Sequence, residues 1–298
     1  MLRIGLIGCG KWSKTIIEEI NINKNFLLKS VVCRNGLKNN FGNNINIFEN
    51  IESLFQSNTV DCIYVAAIPQ INLNVVRTAS IKKIPLILEK PICSSYLEAQ
   101  DIENIVNINN LIVLPNISNY FSEIFEKIKQ IIYLNYERIN KIYFYEGDNG
   151  PVREKIHPIW DWGFHSLSML SQIFELDKIT NLNIKEIKKD IVNKNIVSKF
   201  SFRIDQHLDF SLVTGNFFKK KIRKIKIICD NQEIFVGDLI NHELLKNNKL
   251  IFKNKFTPIS SLLDNFYSSI IDRNHTLSKN LLKGSCQTIK VLEEFYKC

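Results

Sequence analysis

The sequence has no apolar run near the roughly 18 residues needed to span a bilayer. Its first apolar stretch leads straight into a glycine turn rather than a cleavable leader. Neither a membrane span nor a secretory signal is expected. C-x-x-C is absent, and the seven cysteines, at 9, 33, 62, 93, 229, 286 and 298, are scattered singly and odd in number. Neither a disulfide framework nor a zinc site is expected, and a reducing, cytoplasmic setting fits. H-x-x-x-H and H-E-x-x-H spacings are also missing, so no metal is expected. Internal repeats and a disordered linker are not found.

What is present is an ordinary globular composition, 45% hydrophobic and 23% charged over 298 residues. That length favours two domains, each able to bury a sizeable core. The net charge of +9 suits an anionic cofactor or substrate as well as nucleic acid.

The chain is organised around its first 20 residues. Leu2-Arg3-Ile4-Gly5-Leu6-Ile7 reads as a buried strand. Gly8-Cys9-Gly10-Lys11-Trp12-Ser13 follows at once, and then a helix with Trp12, Ile16, Ile17 and Ile20 on one face. Strand, glycine turn and helix form a dinucleotide-binding arrangement: Gly8 permits the tight turn, Gly10 lets backbone approach a pyrophosphate, and the helix N-terminus offers N–H groups to that anion. An ordinary tight turn is the alternative. A second strand, 26–33, ends in Cys33-Arg34-Asn35 where an Asp or Glu would grip a ribose 2′-OH. With Arg34 there, a 2′-phosphate and hence NADP is favoured over NAD, unless Arg34 is a plain surface residue.

Strands at 60–67, 86–88 and 111–114 alternate with helices near 51–55, 71–82 and 95–108, which predicts a parallel, doubly wound sheet. After a helix at 120–134 the pattern changes to a strand at 141–145, a helical stretch from about 160, strand-like runs over 179–237, and closing helices at 258–272 and 279–296. The fold expected is α/β, an N-terminal Rossmann-type domain over 1–116 and an α+β domain with a largely antiparallel sheet over 117–298. The basic run Lys219 to Ile227 alternates from Lys224 and reads as a solvated sheet edge or hairpin. Nucleic-acid binding is the sharper reading of it, but no recognisable module supports that.

Two clusters carry chemistry. Glu89-Lys90-Pro91 ends an apolar strand, where an open α/β sheet places its ligand crevice, so Lys90 can donate to a substrate oxygen. Trp160-Asp161-Trp162-Gly163-Phe164-His165 puts Asp161 and His165 at i and i+4 if it starts a helix, and a carboxylate holding an imidazole makes a general acid/base. A surface lysine and a structurally satisfied core histidine are the bland alternatives.

Together, Gly8-x-Gly10 with Trp12, Glu89-Lys90-Pro91 and Asp161-Trp162-Gly163-Phe164-His165 resemble the Gfo/Idh/MocA oxidoreductases over nearly the whole chain. The resemblance implies a catalytic group of Lys90, Asp161 and His165. It implies a cofactor site of Gly8, Gly10, Lys11, Trp12, Ala67, Ile68, Pro69 and Glu89, to which the reading of the second strand's end adds Arg34. The expected reaction is hydride transfer between NADP or NAD and a secondary alcohol or ketone of a sugar. A nucleotide-linked sugar for surface polysaccharide comes first, a free polyol or inosose second, and a non-catalytic cofactor-binding regulator third. Departures are Ser13 for the third glycine, Asn72 where many members carry His, and Ser168 where many carry a second Asp. By resemblance, the second-domain sheet pairs subunits into a homodimer or homotetramer.

Overall fold

The computed structural model describes residues 1–34, 41, 44–150, 157, 159–190, 195–204, 208–254 and 257–297. Asn35 and Cys298, both read above, lie outside the described residues. The chain divides into two compact units, one of residues 1–116 with 259–286 and one of 117–258 with 287–298.

The first unit holds β1 (Leu2–Ile7), α1 (Lys11–Ile22), β2 (Phe26–Val32), β3 (Asn46–Phe48), α2 (Ile51–Gln56), β4 (Cys62–Val65), α3 (Asn72–Lys82), β5 (Leu86–Leu88), α4 (Tyr96–Asn109) and β6 (Val113–Pro115). Six parallel strands lie in the order β3-β2-β1-β4-β5-β6, the doubly wound arrangement expected. β4 and β5 are buried throughout, as strands covered on both faces must be. Local chemistry starts the helices: Asn50 accepts from the Ser53 N–H at 2.8 Å to cap α2, and Ser95 accepts from the Glu98 N–H at 3.3 Å to cap α4.

Helix α7 (Pro258–Ile271) and the first part of α8 (Thr276–Lys297) complete this unit. Phe266 of α7 is buried and stacks on Phe26 with ring centroids 6.2 Å apart. β6 is an edge strand, and the Ser278 hydroxyl closes it by accepting from the Val113 N–H and donating to the Val113 carbonyl, each at 2.9 Å.

The second unit holds α5 (Glu123–Asn135), β7 (Ile139–Asn149), α6 (Phe164–Leu170) and strands β8 (Ile179–Asp190), β9 (Asn195–Ile204), β10 (Leu208–Gly215), β11 (Phe217–Cys229), β12 (Ile234–Asp238), β13 (Glu243–Lys246) and β14 (Lys249–Lys253). The sheet order is β14-β13-β12-β11-β7-β10-β9-β8. Only the β7–β10 pair is parallel among the described strand pairs of this sheet. Gly237 lets α5 lie close, since a Cβ there would meet Ile128 at 3.1 Å and Ile124 at 3.2 Å.

Three readings are corrected. Of the two readings of the basic run, the hairpin holds, since β11 pairs antiparallel with the next strand β12, and the sheet edge does not: β11 lies between β12 and β7, and Lys219–Lys221 sit where its register jumps from Phe217 to Ile222. Alternation reports one half-exposed face, which an interior strand of a one-sided sheet also shows. Trp12 is 46% exposed and does not share the buried face of α1, which is formed by Ser13, Ile16 and Ile20. Finally, Cys9 and Cys33 are joined in a disulfide. Their separation of 24 residues hid the pairing, because only the parallel pairing of β1 with β2 brings the two strand ends side by side.

Replacing Phe266 with Ala should cost about 3–5 kcal/mol in denaturant unfolding, as for other buried phenylalanines. Tyr133→Ala, at a site 85% exposed, should be neutral within about 0.5 kcal/mol. An equally small loss at Phe266 would mean that α7 does not belong to the first unit's core.

Candidate active site

In the first unit the site is built at the carboxyl ends of β1, β2, β4 and β5. Gly8 has a φ of +114°, and a Cβ there would lie 2.3 Å from the Ala66 carbonyl oxygen, so the turn accepts no other residue. Gly10 is the N-cap of α1, and a Cβ built on it would meet nothing within 4 Å. No side chain caps this helix, and its first turn carries no acidic residue. The result is an open, backbone-lined cradle with the positive end of a helix behind it, which fits a dinucleotide pyrophosphate. Lys11 and Trp12 stand exposed beside the cradle, and Ser13, in the third glycine's place, is buried against the sheet. Arg34 follows β2 and is exposed.

Glu89 is the point where these ends converge. Its Oε1 accepts from the Trp12 indole N–H at 2.6 Å, the Tyr64 hydroxyl at 2.7 Å and the Asn116 side-chain amide at 2.7 Å. Asn116 also donates to the Tyr64 oxygen at 2.8 Å. Burial, and then the Glu89 charge, push the Tyr64 phenol well above its ordinary value, so it stays a donor to Glu89. Lys90 extends from this anchored position, and the Lys90–Pro91 peptide is cis. Asn72, buried at the start of α3, donates to the Ile92 carbonyl at 2.9 Å and ties down the far side of the same loop. Ala67, Ile68 and Pro69 form the loop after β4, with Ile68 61% exposed.

In the second unit, Asp161 and His165 share one continuous segment. Ile159–Gly163 is a π-helical turn, and His165 lies on α6 directly after it. Asp161 thus lies in a π turn and His165 on the α-helix that follows it, and π turns recur at functional sites. His157 shapes the entry: its Nδ1 accepts from the Ile159 N–H at 3.2 Å, and its carbonyl accepts from the Trp160 N–H at 2.9 Å. Gly163 keeps the turn against β10, since a Cβ there would meet Ile159 at 2.7 Å and Thr214 at 3.4 Å. At the end of the sheet's covered face, Arg223 and the buried Glu146 pair at 2.7 Å across β11 and β7. The Arg223 guanidinium lies 6.0 Å from the Trp162 ring centre. Trp162 Nε1, Ser166 Oγ, Ser168 Oγ and Thr214 Oγ1 are buried with no hydrogen-bond partner among the described residues.

The ten expected residues of the first unit therefore gather at one sheet edge, and Asp161 and His165 on one segment of the second. Sequence reasoning missed Tyr64, Asn116, His157, Glu146 and Arg223. Tyr64 lies inside the apolar strand read at 60–67, Asn116 lies just beyond the strand read at 111–114, and His157 belongs to no motif. The one available signal was a polar residue ending an otherwise apolar strand, as Asn116 does after Val113-Leu114-Pro115.

Comparison with known proteins shows what the chain is similar to. Residues 2–117 match the GFO_IDH_MocA model, the oxidoreductase family with an NAD-binding Rossmann fold. A putative oxidoreductase from Magnetospirillum magnetotacticum MS-1 has a similar fold at 16% identity, with 98% of this chain and 98% of that chain covered and a TM-score of 0.84. UDP-N-acetylglucosamine 3-dehydrogenase GnnA from Acidithiobacillus ferrooxidans is similar at 13% identity, covering 98% and 96% of the two chains, with a TM-score of 0.81. Apo scyllo-inositol dehydrogenase from Lactobacillus casei is similar at 14% identity, covering 100% and 96%, with a TM-score of 0.80. No curated protein sequence matches the chain.

Two predictions follow from the geometry. Glu89→Ala removes the acceptor of three donors and should cost about 2–3 kcal/mol in unfolding experiments, with Glu89→Gln costing less. Equal, negligible losses would show that the convergence holds nothing. For His157, burial first, and Lys189 after it, hold the imidazole below its ordinary 6.5 against the opposing pull of Glu186. The unfolded chain binds the proton more readily, so this stability is present above pH 6.5 and is lost as pH falls through the depressed folded value. Melting curves from about pH 7 to about pH 5 should fall more steeply for the native protein than for His157→Asn, and parallel curves would refute it.

Proposed function

We propose that this chain, an oxidoreductase of the Gfo/Idh/MocA family through its residues 2–117, moves a hydride between a nicotinamide dinucleotide and the secondary alcohol or ketone of a nucleotide-linked sugar. The observation that carries the reading is the placement, at one sheet edge, of an uncapped glycine cradle and of Lys90 next to the Glu89 anchor. Gly8, Gly10, Lys11 and Trp12 hold the pyrophosphate end, and Glu89 fixes Trp12. Ala67, Ile68 and Pro69 line the nicotinamide side. Arg34, exposed after β2 with no carboxylate beside it in sequence, favours the 2′-phosphate of NADP over NAD. When bound, the dinucleotide accepts or supplies the hydride.

The chain's own groups handle the rest. Lys90 donates a hydrogen bond to the reacting oxygen and orients it. His165 takes the proton as the alcohol becomes a ketone and returns it in the reverse direction. Asp161 holds the imidazole in one tautomer and stabilises its charged form. The buried polar atoms of Trp162, Ser166, Ser168 and Thr214 suit a polyhydroxylated substrate, since each buried donor or acceptor gains from a hydroxyl partner. A cytoplasmic enzyme and a homodimer or homotetramer belong to the same reading.

GnnA supports the nucleotide sugar, and the inositol dehydrogenase favours a free polyol as the second reading. Titration with NADPH and NADH, followed by turnover with UDP-sugars and free polyols, decides between them. The expected result is tighter NADPH binding, turnover of a UDP-sugar, and at least about a 100-fold fall in kcat for Lys90→Met and His165→Asn. Turnover of free polyols alone selects the second reading. Dinucleotide binding with no turnover of any sugar points to a regulator, and no binding of either dinucleotide ends the proposal.

A further inference from the structure

The Cys9–Cys33 bond lies inside the cradle. Cys9 stands between Gly8 and Gly10, and Cys33 directly precedes Arg34. The backbone holds the two cysteines together independently of the bond. Ile7 is paired with Val32 in register, the Gly8 N–H donates to the Val32 carbonyl at 3.0 Å, and the Cys33 N–H donates to the Phe48 carbonyl at 2.8 Å. The Cα atoms are 5.5 Å apart, within the span a disulfide bridges. Dithiol and disulfide forms can therefore share one backbone.

The pair is also chemically set apart from the other described cysteines. Cys62, Cys93, Cys229 and Cys286 are buried and in no disulfide among the described residues. Burial pushes the thiols of Cys62, Cys229 and Cys286 upward, which disfavours their thiolates. Cys9 is half-buried, immediately before the N-cap of an uncapped helix, and it is followed two residues later by Lys11. Cys33 is buried, 1% exposed. Cys9 is thus the sulfur that a small disulfide reaches first, and Cys33 the one that resolves the intermediate.

We propose that Cys9 and Cys33 form a redox-modification site that sets dinucleotide affinity, a proposal that rests on the cradle's binding a dinucleotide. In the forward step the Cys9 thiolate attacks one sulfur of a small-molecule disulfide and expels one thiolate. The Cys33 thiolate then attacks the Cys9 sulfur and expels the second. The two protein thiols lose two electrons and two protons, and the oxidant is reduced to two thiols. A dithiol reductant reverses the exchange. In the bonded form, two sulfurs occupy the space between the glycine turn and the end of β2, where a dinucleotide of this fold lays its adenosine ribose. The bond also ties the turn to β2, so its amides cannot adjust around the pyrophosphate. Affinity is lower in the bonded form. By linkage, dinucleotide protects the thiols from oxidation by the same factor.

The test titrates the full chain with NADPH and with NADH after equilibration in glutathione disulfide or in dithiothreitol, with the Cys9–Cys33 peptide pair followed by mass spectrometry. The expected result is a Cys9–Cys33 linkage in the oxidised sample and dinucleotide affinity at least about tenfold weaker there. Cys9→Ser, which removes the attacking thiol and leaves only the buried Cys33, should bind equally in both conditions, and added NADPH should slow formation of the linkage in the native chain. Equal affinity of the two native forms, or no linkage in glutathione disulfide, overturns the proposal while leaving the cofactor reading intact. Failure of the reduced form to bind either dinucleotide overturns both.

Discussion

A single carboxylate oxygen, Glu89 Oε1, holds the candidate site of the first unit in place. Three donors from three different elements end on it: Trp12 from α1, Tyr64 from β4 and Asn116 from the end of β6. Each strand end at the carboxyl edge of an open sheet leaves its loop to find its own support. Here one acceptor ties the loop that bears Lys90 to the helix that bears the cradle. Hydrogen bonds to a charged acceptor are roughly twice as strong as neutral ones. Tyr64, fully buried, would lose its only donor function without this acceptor, which is why burial and charge together keep it protonated. The half-exposed Trp12 is explained in the same way, because its indole is turned from the apolar face of α1 toward Glu89.

Much of this was legible in the sequence. The β1–turn–α1 unit is local, and its glycines are dictated by backbone conformation, so Gly8 and Gly10 announce themselves. The apolar strands β4 and β5 and the tripeptide Glu89-Lys90-Pro91 are likewise contiguous signals. What stayed hidden depends on contacts between distant residues. Tyr64 looks like strand core, and Asn116 like the residue after a finished strand, until the parallel sheet aligns both beside Glu89. Cys9 and Cys33 look single until β1 and β2 pair. Asn72, noted as a departure from the resemblance, turns out to brace the loop after Pro91 through the Ile92 carbonyl. β3 is only three residues long and gives no periodic signal. The π turn at Ile159–Gly163, where Gly163 leaves no room for a Cβ beside Ile159 and Thr214, is not encoded by helical spacing alone.

The second unit meets the same problem by another route. Along β7 and β11, Ile142, Phe144 and Glu146 face the covered side with Ile227, Ile225 and Arg223 opposite them. Two apolar rungs are followed by one ion pair, so the face changes from core to polar floor where the π turn lies over it. A buried carboxylate needs a partner to be tolerated, and the guanidinium that neutralises Glu146 also lies under the Trp162 ring. Packing and polar chemistry at the Asp161–His165 segment are therefore supplied by one cross-strand pair.

The Ser278 hydroxyl, which closes β6 at the edge of the first sheet, has a consequence for how the polypeptide is made. Residues 1–116 leave the ribosome long before Ser278 and Phe266 do. Until then the growing chain carries an open strand edge at Val113 and an uncovered aromatic at Phe26. The sheet of the first unit is thus begun before the residues of the second unit are made and completed only after them, when α7 and α8 follow.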